Sequence, residues 1–155
     1  MRRKDREMDE NFALSVVDNC PFGTLSMTLP DGSPYAVALS IAREGMCVYF
    51  HSAQTGLKTE ALLHEPRVCL TCVTGVQPIA EEFSTAYASA VLFGPAQLVA
   101  DASERVQALR LICRRYAPEN LENMESCIQH NQAATAVWRI TIQSISGKQK
   151  RLPNA

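Results

Sequence analysis

Between residues 22 and 29 the side chains alternate: Gly23, Leu25, Met27 and Leu29 fall on one side, Phe22, Thr24, Ser26 and Thr28 on the other. That period of two predicts a strand buried on one face. Pro30-Asp31-Gly32-Ser33 reads as a turn, and residues 34–41 as the returning strand. Arg43-Glu44-Gly45 turns the chain again into a third strand, with Met46, Val48 and Phe50 facing one way and Cys47, Tyr49 and His51 the other. Three successive strands joined by tight turns predict an antiparallel meander.

The period then lengthens. Ser52-Ala53-Gln54 breaks the strand, and Thr55-Gly56 opens a helix whose apolar stripe is Leu57, Ala61 and Leu62. Pro66 ends that segment, residues 67–74 form a fourth strand, and residues 75–86 are a long connection holding Pro78, Glu81 and Glu82. Residues 87–99 are a long strand interrupted at Gly94-Pro95, a bulge or an edge. Helices are predicted at 9–18 (Phe12, Val16, Val17), at 101–116 (Val106, Leu109, Cys113, Tyr116, with Asp101 and Glu104 as a capping box), and after Pro118 (Leu121, Met124, Ile128). Residues 135–145 close with a strand that turns Ala136, Trp138, Ile140 and Ile142 inward. The six strands so counted, with helices between them, predict a mainly β fold with flanking α: a six-stranded antiparallel split β-barrel with surface helices. Several strands are apolar on both faces, notably 67–74, and a symmetric dimer would cover the second face.

Composition narrows the class. The 155 residues fit one domain, 1–155, with a basic arm over 1–8 and a tail over 149–155, and 46% apolar with 20% charged residues describe an ordinary globular chain. A net charge of −1 gives no global electrostatic case for nucleic acid or an anionic membrane. No apolar run approaches the ~20 residues of a membrane span, and the amino terminus is charged where a signal peptide would be apolar, so the expected location is cytoplasmic. Of the cysteines at 20, 47, 69, 72, 113 and 127, only Cys69 and Cys72 have CxxC spacing, and positions three apart on a strand face opposite ways. With no second pair or clustered histidine, no metal site is expected and the thiols read as buried and free.

One cation stands out. With Thr55 as N-cap, Lys58 falls in the first turn of its helix, where the macrodipole favours anions by about 0.3–1 kcal/mol. A lysine there suits an anion held between it and the free N–H groups, and phosphate is the common one. The alternative is a solvated lysine on an exposed turn.

The arm Met1-Arg2-Arg3-Lys4-Asp5-Arg6-Glu7, the segment Tyr49-Phe50-His51-Ser52-Ala53 with Gly56 and Lys58, and Ser146-Gly147-Lys148 recur in that order in one family. The chain resembles, nearly end to end, the Nim-type (5-nitroimidazole resistance) flavoproteins of the pyridoxamine 5′-phosphate oxidase-like split-barrel superfamily. The resemblance implies a homodimer holding FMN or FAD at the subunit interface. By that similarity His51, Ser52, Thr55 and Lys58 meet the flavin phosphate, backbone from Leu39, Ser40 and Ile41 reaches the polar edge of the ring, Ser89 lies near the ring edge, and Lys148 approaches the cofactor or the partner subunit. His51 lies beside the ring as the candidate catalytic residue. Ala38 and Ile41 stand where family members often carry a proline and then an aromatic residue, and the arginine-and-serine set of the true pyridoxamine phosphate oxidases is not matched, so vitamin B6 oxidation is not implied.

The implied activity is a flavin-dependent oxidoreductase of the nitroreductase or pyridoxamine phosphate oxidase-like type, acting on a small molecule with NAD(P)H as a possible electron donor. A non-catalytic flavin-binding or sensing module is the alternative from another class, and a haem-binding split barrel a third. No Ser/His/Asp order or paired carboxylates support a hydrolase; Glu81-Glu82 reads as a solvated loop.

Overall fold

The computed structural model describes residues 3–152; the first two residues of the basic arm and the last three of the tail lie outside the described residues. Among the described residues nine strands and four α-helices follow one another: β1 (Glu7–Met8), α1 (Glu10–Asn19), β2 (Gly23–Thr28), β3 (Pro34–Leu39), β4 (Ile41–Glu44), β5 (Cys47–Ala53), α2 (Leu57–His64), β6 (Arg67–Ile79), β7 (Ser84–Leu98), α3 (Ala102–Tyr116), α4 (Met124–Asn131), β8 (Thr135–Thr141) and β9 (Ser144–Lys150). Three short 3₁₀ turns lie at Lys4–Arg6, Ala80–Glu82 and Pro118–Asn123.

The expected fold class is present, mostly antiparallel β with flanking helices, but the strand count is nine where six were expected. The predicted strand over 34–41 is two, broken at Ser40. There the chain leaves one sheet for the other, because β3 pairs with β2 while β4 pairs with β5. The expected meander is therefore two separate hairpins at opposite ends of the order β3-β2-β6-β7-β8-β5-β4. The sheet does not close, and β3 and β4 are left as edges. Residues 75–86 are not a loop: β6 continues to Ile79 and β7 begins at Ser84, with a bulge between Thr74 and Gln77 where Gly75 has φ 61°. Ladder pairing with a neighbouring strand overrides the local signal of Gly75 and Pro78. The last strand likewise is two: β8 ends at Thr141 and Ser146-Gly147-Lys148 lies inside β9, where Gly147 and Lys148 pair with the arm, Glu7 facing Lys148, and Gln149 and Lys150 of the expected tail pair with β7.

The long strand β7 joins the two halves. One edge of it pairs with β6 from Ser84 to Pro95. Its other edge pairs with β9 up to Phe93 and with β8 from Ala96 onward. Between those two partners the chain from β8 to β9 must step past Gly94, and Gln143 donates its N–H to the Phe93 carbonyl at 2.9 Å. A Cβ on residue 94 would sit 1.9 Å from the Thr141 carbonyl oxygen, so only glycine allows the step.

Two apolar clusters result. Leu25, Ile41, Val48, Phe50, Leu70, Leu92, Trp138 and Ile140 form the barrel core, closed by Ala13, Val16 and Val17 of α1 and Ala61 and Leu62 of α2. Tyr49 and Val137, on the reverse faces of β5 and β8, pack under Ala108, Leu109 and Ile128 of α3 and α4. Helices thus cover the second face of β5 and β8, whereas no helix covers the outer face of β2, β6 and β7 among the described residues. Asp101 caps α3, accepting from the Glu104 N–H at 2.7 Å, and Asp9 caps α1 from Phe12. The cysteines are free; Cys20 and Cys72 are buried, Cys47, Cys69 and Cys113 half-buried, and Cys127 is exposed, against the expectation of a uniformly buried set. No described helix is long and apolar enough to cross a membrane.

Gly94→Ala is expected to cost about 3 kcal/mol or more, since the clash is with backbone that cannot rotate away. A urea midpoint within error of the parent's would show that the strand junction has slack.

Candidate functional site

The end of β5 and the start of α2 carry most of the candidate chemistry. Alternation along β5 sends Phe50 and Ser52 to the barrel side and Tyr49 and His51 to the helix side. Trp138 faces Phe50 across the ladder, their rings stacked at 6.5 Å and 10° between planes. The Trp138 indole N–H donates to the Ser52 hydroxyl at 3.2 Å, and that hydroxyl donates to the Ala53 carbonyl at 2.7 Å. Ser52 is thus held by its own strand and its neighbour.

The helix begins one residue later than Thr55 would place it. Gly56 is the N-cap, at φ 121°, with no side-chain capping bond, and Thr55 is an exposed turn residue. A β-carbon is disfavoured at that φ, so the cap is glycine and the threonine hydroxyl is left outside. Glu60 donates back to the Gly56 carbonyl at 3.0 Å, and the N–H groups of the preceding residues form the uncapped helix end. Lys58 lies in this first turn with its Nζ 5.9 Å from the centre of the Phe50 ring. Burial pulls the Lys58 ammonium below its ordinary pKa, and no described carboxylate pairs with it. A half-buried cation beside an uncapped helix start is what a phosphate would neutralise. Those residues fit the group.

His51 takes the other side. Its ring is open to solvent on one flank and on the other lines a cavity of ≈270 Å³ with Leu109, Ile112, Cys113, Cys127 and Ile128. Burial, and then the nearby Lys58 charge, hold the imidazole below its ordinary pKa. His51 is therefore neutral at pH 7, able to give or take a proton. No described cluster of His, Cys, Asp and Glu is arranged to hold a metal ion.

The remaining sequence candidates are spread over the fold. Leu39, Ser40 and Ile41 form the switch between the two sheets, with Ser40 exposed and the Ile41 N–H donating to the Tyr116 hydroxyl at 3.0 Å. That donor is already engaged. Ser89 and Lys148 are direct cross-strand partners on the uncovered face, where the Lys148 Nζ lies 5.7 Å from the centre of the Tyr87 ring. Lys148 and Arg6 of the arm lower the Tyr87 phenol pKa, the lysine more strongly. Within one subunit the structure brings together His51, Ser52, Thr55 and Lys58, and brings together Ser89 and Lys148, but places the second group across β8 and β7 from the first. The sequence reading placed Tyr116 in a helix stripe without its bond to Ile41, and missed Tyr87 and the Phe50–Trp138 stack; Trp138 carried a signal, being the chain's only tryptophan and on a strand aligned inward.

The sequence profile of the pyridoxamine 5′-phosphate oxidase family matches residues 9–149. No curated protein sequence matches the chain. Among solved structures, a flavocytochrome from Azotobacter vinelandii is similar at 25% identity and TM-score 0.83, over 99% of this chain and 73% of that one. A candidate 5-nitroimidazole antibiotic resistance protein from Bacteroides thetaiotaomicron is similar at 23% identity and TM-score 0.78, over 92% and 86%. An FAD- and haem-binding protein from Mycobacterium smegmatis is similar at 22% identity and TM-score 0.78, over 97% and 76%.

Because the folded His51 pKa lies below the unfolded value of about 6.5, the unfolded chain binds the extra proton first. Stability due to neutral His51 is thus complete above that pH and is lost as pH falls below it and through the lower folded value. An NMR titration of the imidazoles should give one midpoint below the unfolded value, moving up in Lys58→Ala. A midpoint that stays put in the variant would mean that the two side chains do not sense each other.

Proposed function

The chain belongs to the pyridoxamine 5′-phosphate oxidase family, and from that membership we propose that it binds a flavin, FMN or FAD, by its phosphate at the start of α2. The observation that carries the reading is Lys58, a half-buried cation without a counter-ion beside a helix end capped only by glycine. Lys58 and the first N–H groups of α2 hold the phosphate, with Thr55 beside them on the exposed turn. Two similar structures are described by their flavin or flavocytochrome content, which agrees with this reading.

The protein acts as a dimer. The uncovered face of the larger sheet presents Thr71 and Val73 from β6, Ser89, Val91 and Phe93 from β7 and Lys148 from β9, with Val73 38% and Phe93 51% exposed. A second copy on that face would bring its Ser89 and Lys148, and its Leu39–Ile41 backbone, toward the first copy's Lys58, uniting groups that one chain keeps apart.

When bound, the flavin supplies hydride or electron transfer to a small-molecule substrate, with NAD(P)H as donor. The chain's own contribution is positional. Lys58 offsets negative charge, the Phe50–Trp138–Ser52 assembly keeps the end of β5 rigid, and neutral His51 exchanges a proton at its imidazole near neutral pH. A flavin-binding module without turnover is the second reading, favoured by the packing of His51 against α3 and α4. A haem-binding barrel differs from both in showing a Soret band.

Purified protein is expected to bind FMN more tightly than riboflavin, with Lys58→Ala weakening FMN about 10–100-fold and leaving riboflavin unchanged. Equal affinity of the parent for the two flavins would end the phosphate assignment. Val73→Glu is expected to turn dimer into monomer in analytical ultracentrifugation and to weaken flavin binding with it; a monomeric parent removes the interface. Oxidation of NADH or NADPH on adding a nitroaromatic acceptor distinguishes enzyme from module.

A further inference from the structure

A second pocket opens where β8 loses its partner. Strand β7 pairs with β8 only as far as Leu98 opposite Trp138, and Val99 makes one more bond to the Val137 carbonyl at 2.9 Å. Beyond that point α2 and α3 flank the free edge of β8 and leave a cavity of ≈300 Å³, lined by Gln54, Thr59, Leu63, Leu98, Arg105 and residues 135–138.

Arg105 is the unusual member. Its Nε is buried and has no hydrogen-bond partner, and its guanidinium forms no ion pair among the described residues. The adjacent carboxylate is spent elsewhere: Glu104 accepts from the Tyr49 hydroxyl at 3.0 Å and from Arg139 at 2.8 Å. The lining holds no acidic side chain, so an anion is the ligand that complements the Arg105 guanidinium. A guanidinium matches phosphate by two parallel N–H contacts.

The walls ask for a flat apolar body attached to that anion. Leu63 is 68% and Leu98 52% exposed at the mouth, two large side chains with no partner of their own. The Gln54 side-chain amide nitrogen donates to the Ala133 carbonyl, which leaves its oxygen free to accept from an exocyclic amine. The volume lies at the lower end of the roughly 300–1,000 Å³ of small-molecule sites, enough for one nucleotide and too little for two. Thr59 also lies on α2, directly after Lys58, so the pocket adjoins the phosphate site without sharing its lysine.

We propose that the Arg105 pocket binds a nucleoside phosphate, its phosphate on the guanidinium and its base between Leu63 and Leu98. The nucleotide is either the adenylate half of FAD or part of a separate nicotinamide nucleotide. Only the FAD source rests on the flavin reading.

Isothermal titration of AMP into protein saturated with FMN tests the site. AMP is expected to bind, and Arg105→Ala and Leu98→Glu each to weaken it about tenfold or more, with the FMN affinity and the thermal midpoint unchanged. Both positions are partly solvent-exposed, so neither variant threatens the core. If FAD binds more tightly than FMN and excludes AMP, the nucleotide is the cofactor's own; if NADH or NADPH excludes AMP while FAD gains nothing, it is a separate molecule, and both outcomes support the proposal. Absence of AMP binding, or binding unaltered in both variants, overturns it. A protein that binds no flavin refutes the flavin reading instead, and the AMP titration on flavin-free protein still decides this site.

Discussion

Where β7 passes from β9 to β8, two backbones come closer than any side chain would allow. The Thr141 carbonyl occupies the space that a β-carbon on residue 94 would need. Because both β8 and β9 pair with the same edge of β7, the chain connecting them must pass Gly94 at that point. Everything beyond β8 inherits the constraint: β5 hangs on β8 through seven paired positions from Cys47 to Ala53, and α2 hangs on β5. The candidate site is therefore built on paired strands, and only its final turn belongs to a loop.

One strand supplies two environments. Alternation along β5 gives the barrel a rigid assembly of Phe50, Trp138 and Ser52 and gives the α3–α4 side a neutral histidine. Lys58 sits at the end where both environments meet, close enough to Phe50 for a cation–π contact and to His51 to lower its pKa. The same region holds a second cation, Arg105, also without an ion-pair partner. Unpaired positive charges are costly in a half-buried setting, and two of them, one on α2 and one on α3, describe a surface suited to phosphate groups. The rest of the chain's charge does not point that way, since the net value is −1.

The uncovered sheet face has the opposite character. Its residues mix small and hydroxylated side chains, such as Thr71, Val73 and Ser89, with Val91, the larger Phe93 and the charge of Lys148. Such a face is flat and poorly hydrated, which suits a matching flat face more than it suits water.

Much of this was legible in the chain itself. Strict alternation over residues 22–29 marked β2, Asp101 marked the start of α3, and the inward set of Ala136, Trp138, Ile140 and Ile142 is buried as the period of two required. The β5–α2 junction and its lysine were also readable, because a strand, a break and a helix stripe are local signals. What the chain did not disclose was partner choice. Ser40 carries no mark of a sheet switch, Pro78 looks like a loop residue until β7 pairs with it and Gly75 until it falls in a bulge of that ladder, and Thr55 outranks Gly56 as a cap until the backbone adopts a positive φ. Nothing in the sequence pattern singles out Arg105, whose neighbour Glu104 bonds instead to Tyr49 and Arg139. Periodicity is written into each segment by the face it buries; which strand lies beside which, and which charge is left without a counter-ion, depends on residues tens of positions away and is settled only when the whole chain has packed.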